Sequence, residues 1–161
     1  KDIHGGSVRI TIDPEFKHSD EVERWMYNEV DRGYLAIDKY YSFAAQVKYT
    51  IQLFAKRLSV LSRMNTVAAF GASAKGNTLL NCAGITKEIC YIIDETPEKE
   101  NKFSPGTSIP ILNFEGIKRS VYVPEYIVLL AWNFRKECVE KCRNAGYTGK
   151  FILPLTFEII E

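Results

Sequence analysis

A turn of small residues in the middle of the chain has the composition of a phosphate-binding site. Residues 71–78 read Gly-Ala-Ser-Ala-Lys-Gly-Asn-Thr and directly follow the apolar run 66–70. Small side chains let backbone N–H groups approach an anion, and the unpaired N–H groups at a helix start favour negative charge. Lys75 adds a positive charge inside the turn. The pattern is typical of a phosphate site and equally of a tight turn that only joins a buried strand to its helix.

The turn matches neither of the two common nucleotide-binding motifs. In the phosphate loop of nucleotide hydrolases, G-x-x-x-x-G-K-S/T, a lysine follows the second glycine. Here Asn77 follows Gly76, and Lys75 precedes it. In the dinucleotide motif G-x-G-x-x-G the middle position is a glycine, whereas this chain has Ser73. The turn therefore fits a nucleotide fold but gives no reason to infer a hydrolase.

Other polar residues follow the later predicted strands. Asp94 lies about 20 residues after the glycine turn, where dinucleotide-binding folds place an acidic residue on a ribose; an aspartate that closes a turn would look the same. Lys99 and Lys102 follow in a loop, where they either neutralise a diphosphate or only face solvent. Trp132 and Asn133 directly follow the strand predicted at residues 127–131, at a strand end where side chains point into a crevice. Trp132 either stacks on a base or sugar or lies at the rim of the core.

No catalytic set of residues is evident. The two histidines, His4 and His18, both precede the α/β part of the chain, so no general base or Ser/His/acid set can be assigned. The cysteines form no C-x-x-C pair, and a zinc site would need further ligands that are far away in sequence. We therefore expect no metal site and interpret the thiols as buried, reduced and cytoplasmic; they are Cys82, Cys90, Cys138 and Cys142.

The composition of the chain indicates the general class of protein to which it belongs. The 161 residues are 46% hydrophobic and 25% charged, which is typical of a globular protein with one substantial core. A formal net charge of +1 argues against nucleic-acid binding as the main activity. No apolar segment is long enough to span a membrane, and no signal peptide is evident. The start at Lys1, directly in a strand-like pattern, predicts a fragment of a longer polypeptide.

Helices are predicted in the first part of the chain. Residues 8–12 alternate apolar and polar side chains, as a half-buried strand does. Ser19 is a candidate N-cap for a helix that stops near Gly33. A second helix carries an apolar stripe at helical spacing, which we interpret as core; its members are Phe43, Val47, Ile51, Phe54, Leu58 and Leu61.

From residue 66 onward, strands and helices alternate. Strands are predicted at residues 67–71, 89–94, 109–112, 127–131 and 151–154. One helix follows Ser73 and ends before Gly84, a helical turn covers residues 114–118, and a last helix runs from an N-cap at Asn133 to a left-handed Gly146. The alternation predicts an α/β, Rossmann-like three-layer domain with a mostly parallel sheet and a ligand crevice at its carboxyl edge. Residues 95–107 are a polar loop, either a functional flap or an ordinary connection.

The run from Phe70 to Asn81 resembles the hallmark of the C-terminal domain of sugar C-methyltransferases, which act on nucleotide-linked deoxysugars. Further matches follow in the same order along essentially the whole chain: Ile93-Asp94, Pro97, Lys99, Lys102, Pro105-Gly106-Thr107, Ile109-Pro110-Ile111 and Leu130-Ala131-Trp132-Asn133. The start, His4-Gly5-Gly6-Ser7, is similar to the final strand of the preceding methyltransferase domain in that family.

This resemblance implies an organisation and a division of labour. Residues 1–13 would be the tail strand of a methyltransferase domain, 14–65 a helical connector and 66–161 a Rossmann-like domain that closes over the substrate. The site for S-adenosylmethionine, a structural zinc and the acid/base residues would belong to the upstream part of the enzyme. The fragment alone would then bind no cofactor and would be inactive. Its partners would be a nucleotide-linked sugar, or a similar phosphorylated molecule, and that upstream domain.

The resemblance also implies a set of substrate-binding residues, with Lys75 as the charged partner of phosphate. They are Gly71, Ser73, Lys75, Gly76, Asn77, Thr78, Asp94, Lys99, Lys102, Trp132 and Asn133. Glu95 and Ser104 depart from residues common in the family and leave the natural substrate open. Two alternatives stand beside this interpretation. One is a non-catalytic docking module, and the other is a domain that holds a nicotinamide or adenosyl cofactor itself.

Overall fold

A computed structural model describes residues 7–12, 14–15, 19–114 and 123–161. The chain divides into two compact units, Lys1–Tyr49 and Thr50–Glu161. The first unit contains helix α1 (Asp20–Asp31) and the beginning of helix α2 (Ile37–Leu61). Ser19 is the N-cap of α1, as predicted, and acidic side chains occupy its first turn, where the positive end of the helix dipole favours them.

The strand predicted over residues 8–12 is not formed in this structure. Residues 7–12 have no regular secondary structure, and Val8, Ile10 and Ile12 are exposed. A strand needs a neighbour to pair its backbone N–H and C=O groups. The strands of the described sheet pair only with one another, so this alternating segment has no ladder to join. The match proposed for residues 4–6 lies outside the described residues.

The apolar stripe of α2 is core only in its second half. Phe54 and Leu58 are 1% and 0% exposed, and both belong to the core of the second unit. Phe43 and Val47, on the same stripe, remain exposed, so their interpretation as core residues is wrong. Helical periodicity identifies which residues share a face, but only tertiary contacts decide how far along the helix that face is covered.

The second unit is built on one six-stranded sheet with the order β3-β2-β1-β4-β5-β6. The first five strands are parallel, and β6 pairs antiparallel with β5. The prediction of a Rossmann-like α/β fold is thus confirmed, with four of the five predicted strands shorter than predicted and one further strand. The strands are β1 (Val67–Phe70), β2 (Ile92–Ile93), β3 (Ile111–Leu112), β4 (Tyr126–Leu129), β5 (Lys150–Leu153) and β6 (Glu158–Ile160).

Two apolar layers cover this sheet. One face packs against the end of α2 and against α3 (Ala74–Ala83), while the other packs against α4 (Arg135–Asn144). Helix α3 ends before Gly84, as predicted, and Gly84 itself has a left-handed conformation. The predicted N-cap at Asn133 is wrong, because Asn133 lies inside a short 3₁₀ helix (Trp132–Phe134) and Phe134 precedes α4. The helical turn predicted at residues 114–118 falls almost entirely outside the described residues.

The cysteines differ in their surroundings. Cys138 and Cys142 are buried on one face of α4, as their spacing predicts, and burial raises the pKa of Cys142 to about 12. Cys90 is partly buried, and Cys82 is exposed, so the interpretation of all four thiols as buried is wrong for Cys82. In the described part of the chain, no helix is long and apolar enough to cross a bilayer.

Candidate functional site

The glycine turn lies where the strand order of the sheet reverses. Strand β1 has β2 on one side and β4 on the other, and ligands of open α/β sheets bind at the carboxyl edge of such a switch point. Gly71 leaves β1 with a φ of +92°, a left-handed conformation that glycine adopts without strain. Ser73 then caps α3, since its hydroxyl accepts a hydrogen bond from the Gly76 N–H at 3.1 Å. The N–H groups of Ala74 and Lys75, at the helix start, have no acceptor within the helix.

Close packing explains the second glycine of the turn. A Cβ atom on Gly76 would lie 2.6 Å from the Cβ of Leu130, just beyond β4. Only glycine therefore lets the first turn of α3 lie directly on the end of that strand. The glycine sets the position of the helix start relative to the carboxyl edge of the sheet.

Two residues predicted from different parts of the chain meet at this edge. The Nζ of Lys75 lies 4.2 Å from the ring centroid of Trp132, a distance at which the cation is attracted to the aromatic face. Trp132 is half-buried and packs against the core, while Lys75 is exposed. The indole therefore holds a solvent-accessible positive charge beside the start of α3.

Asp94 joins the turn after β1 to the loop after β2. Its carboxylate accepts hydrogen bonds from the Ala72 N–H at 2.7 Å, the Thr96 N–H at 2.9 Å and the Lys99 Nζ at 3.2 Å. Lys99 also donates to the Ala72 carbonyl at 2.9 Å. Burial pushes the pKa of Asp94 up, but the hydrogen bonds from Thr96, Lys99 and Ala72 outweigh it and hold the pKa below its usual value. Asp94 thus stabilises the contact between the turn and the loop, independently of any contact with a ribose.

The loop after β2 is folded back onto α3. The Asn81 Nδ2 donates to the Pro105 carbonyl at 3.0 Å and to the Asn77 carbonyl at 2.9 Å. Gly106 follows Pro105 with a φ of +79°, and a Cβ atom there would collide with the Asn81 side chain. The buried Ser104 hydroxyl accepts from the Ile109 N–H at 3.1 Å, which closes the far side of the loop. Ser104, which departs from the residue common in the family, therefore has a structural role through its hydroxyl.

A cleft of about 500 Å³ lies between this loop and the start of α3. Carbon atoms dominate its lining, from Ile92, Ile111 and Leu130 of the sheet and Phe103 of the loop. The predicted residues Ser73, Asn77, Lys99 and Lys102 also line it. The Asn77 Oδ1 is buried and has no hydrogen-bond partner among the residues that the structure describes.

Comparison with known proteins identifies the family of the chain. The family model of the C-methyltransferase C-terminal domain covers residues 2–156. The chain belongs to this family. It is also similar to the C-methyltransferase NovU of Streptomyces niveus, with 31% identity over 166 aligned residues. The alignment covers 96% of this chain but 38% of NovU, so the chain spans well under half the length of that relative. The family resemblance deduced from the residues is thereby confirmed.

The C-methyltransferase C-terminal domain brings most of the predicted site residues to one edge of its sheet, in three groups. Gly71 and Gly76 shape the turn, four side chains line the cleft, and Lys75 pairs with Trp132 outside that lining. The remaining three are Asp94, whose carboxylate binds the turn after β1 and the loop after β2, Thr78 and Asn133. The Thr78 hydroxyl donates to the Ala74 carbonyl at 3.0 Å, and Asn133 is exposed. Binding of substrate by any of them stays a prediction.

Sequence reasoning missed the residues that hold the cleft together. Asn81 and Phe103 were not proposed as site residues, although Asn81 ties the loop to α3 and Phe103 lines the cleft. The signal for Asn81 was its place one helical turn after Asn77, on the same face of an α-helix. Phe103 gave no local signal, because an aromatic residue in a polar loop is equally compatible with burial in the core.

The Asp94 contacts make the stability of this C-methyltransferase domain depend on pH. Because the folded-state pKa lies below the ordinary value of 3.8, the contribution is present above that pH and is lost as the pH falls through the folded-state pKa. We expect Asp94→Asn to lower the free energy of unfolding by about 1–3 kcal/mol at pH 7, since donors lose a charged acceptor. Urea unfolding between pH 7 and 3 should show this difference shrinking below about pH 4.

Glu140→Gln is the matched control, because it neutralises an exposed carboxylate on α4. This variant should differ from the parent by less than about 0.5 kcal/mol at pH 7. A difference between Asp94→Asn and the parent that stays constant across the whole pH range would contradict the role given to the ionised carboxylate.

Proposed function

We propose that this domain binds the nucleotide-linked sugar substrate of an S-adenosylmethionine-dependent C-methyltransferase. The observation that carries the proposal is the start of α3, where backbone N–H groups without helical acceptors lie beside the Lys75 cation held over Trp132. The membership in the C-methyltransferase family supplies the reaction class. A diphosphate is the part of a nucleotide-sugar that such a cationic helix start recognises.

The surrounding charges favour a ligand with more than one negative charge. Lys99 and Lys102 line the adjoining cleft, and Lys75 lies at the same sheet edge. Lys99 is already bound to Asp94 and Ala72, so Lys75 and Lys102, both exposed, are the lysines that would neutralise the phosphates. The cleft would take an uncharged part of the same ligand.

The turn does not fit an adenosyl or nicotinamide cofactor. Ser73 replaces the middle glycine that lets a dinucleotide pyrophosphate approach, and its hydroxyl caps α3. The Asp94 carboxylate, at the position that would bind a ribose, accepts three hydrogen bonds from the protein.

In this proposal S-adenosylmethionine supplies the methyl group from the rest of the enzyme. The general base that deprotonates the sugar carbon beside a keto group belongs there as well. This domain binds and orients the acceptor, with the methyltransferase domain as its partner.

Replacing Lys75 with alanine tests the proposal. We expect Lys75→Ala to weaken binding of a nucleoside-diphosphate sugar about tenfold or more, because a charge-assisted contact to phosphate is lost. Isothermal titration calorimetry of the full chain measures the change. Lys87→Ala, which removes an exposed lysine beyond the opposite end of α3, should bind like the parent. Equal affinities of Lys75→Ala and the parent would count against this site.

One observation favours a second candidate, a docking module for another domain. Helix α1 has no buried residue, and its apolar residues Trp25, Met26 and Val30 are 54–58% exposed. Exposed apolar faces of this kind are typical of protein interfaces. The docking function alone would predict no affinity for nucleotide-sugars or for S-adenosylmethionine in the same titrations.

A further inference from the structure

The carboxamide of Asn77 is the least explained polar group of the cleft. Its Oδ1 is buried and accepts no hydrogen bond from residues 7–12, 14–15, 19–114 or 123–161, although buried polar atoms in folded proteins are nearly always paired. Its backbone is fully used, since the carbonyl accepts from Asn81 and the N–H donates to the Ser73 carbonyl at 2.9 Å. The side-chain oxygen is thus left to interact with a group that the described residues do not supply.

The walls around Asn77 are apolar and come from rigid elements. Ile92 and Ile111 belong to neighbouring strands, Leu130 follows β4, and all three are buried. Phe103, on the loop, is 65% exposed and presents an aromatic ring to the cleft. A mostly apolar pocket with one orienting polar group, of about 500 Å³, is the usual form of a site for a small organic ligand.

On the condition that the proposed function holds, we infer that Asn77 binds the edge of the nucleobase in this cleft. A carboxamide donates and accepts side by side, and each nucleobase offers a complementary donor and acceptor on its edge. The flat, apolar faces of a base suit the aliphatic wall and the ring of Phe103. A sugar ring is the poorer occupant, because the mostly apolar lining of the cleft would leave its hydroxyls unpaired.

This assignment fixes the direction of the ligand along the sheet edge. Ser73 and Ala74 both line the cleft and form the start of α3, so the base site and the phosphate site adjoin. The sugar then extends from the diphosphate away from the cleft. Asn77 is in this arrangement a specificity residue for the nucleotide and makes no contact with the reacting carbon.

The experiment compares a nucleoside diphosphate with inorganic pyrophosphate as probes for the full chain. Uridine diphosphate, thymidine diphosphate and adenosine diphosphate are titrated in turn, so that no single base is assumed. In the parent, at least one nucleoside diphosphate should bind more tightly than pyrophosphate. Asn77→Leu should weaken that nucleoside diphosphate about tenfold or more and leave pyrophosphate within about twofold. Lys75→Ala should weaken both probes.

Asn77→Ala provides a smaller replacement in case leucine disturbs the fold, and thermal unfolding of each variant checks that it is folded. Asn144→Leu, an exposed position at the end of α4, controls for the change from asparagine to leucine. Parent-like binding of nucleoside diphosphates by both Asn77 variants would overturn the inference, and so would an equal loss for pyrophosphate. If pyrophosphate binding depends on Lys75 but no nucleoside diphosphate binds more tightly than pyrophosphate, the inference about Asn77 is overturned and the proposed function is not. Absence of any phosphate binding in the parent would overturn the proposed function and the inference with it.

Discussion

Gly76→Ala is expected to lower the free energy of unfolding by about 1–3 kcal/mol, the usual cost of overpacking a tight contact. The sign of this change is informative, because replacing a glycine by alanine in an ordinary helix interior raises the free energy of unfolding by about 0.5–1 kcal/mol. Here the added methyl group would lie 2.6 Å from the Cβ of Leu130, so the first turn of α3 or the end of β4 must move. Urea-induced unfolding, followed by far-ultraviolet circular dichroism, measures the change.

Cys82→Ala serves as the control on the same helix, because Cys82 is exposed and its replacement removes no packing. It should alter the free energy of unfolding by less than about 0.5 kcal/mol. A Gly76→Ala variant that is as stable as the parent would show that the helix start has room to shift. That result would contradict the claim that Gly76 sets the position of α3 relative to the sheet edge.

Phe54→Ala should have the larger effect on stability, with a loss of about 3–5 kcal/mol. Phe54 is 1% exposed and lies in the core between α2 and the sheet, in contact with the ring of Phe157 at a centroid distance of 6.3 Å. Its removal leaves a cavity that rigid strands cannot close. The loss should appear as a lower midpoint of urea unfolding.

The same helix supplies the matched comparison for this variant. Phe43 belongs to the same apolar stripe of α2 but is 62% exposed, so Phe43→Ala should change the free energy of unfolding by less than about 0.5 kcal/mol. Similar losses for the two variants would mean that Phe43 is covered in solution. A small loss for both would contradict the inclusion of the second half of α2 in the core of the α/β unit.

The parts of the fold that local chemistry specifies could be predicted from the sequence. The apolar run before Gly71, the small residues of the turn and the helical pattern between Ser73 and Gly84 give β1, its turn and α3 in their correct order. Each of these signals lies within a few residues of the feature that it predicts. Strand β6 was missed because Glu158–Ile160 is short and becomes a strand through its pairing with β5, which is distant from any local sequence signal.

The candidate site could be predicted as a list of residues but not as an arrangement. The pairing of Lys75 with Trp132 joins two turns that are distant in sequence, and only the neighbouring positions of β1 and β4 bring them together. The internal bonds of Asp94 and the unpaired oxygen of Asn77 depend likewise on where the loop after β2 folds. No propensity or spacing rule reports such contacts.

The fastening of that loop has a consequence for protein engineering. The loop leaves the sheet at β2 and re-enters it at the adjacent strand β3, and side-chain bonds of Asp94 and Asn81 attach it to α3 and its turn. A chimaera that exchanges only the loop with that of another family member would lose these anchors wherever their partners differ. Grafts intended to change ligand selectivity should therefore transfer the loop together with both anchoring side chains as a single cassette.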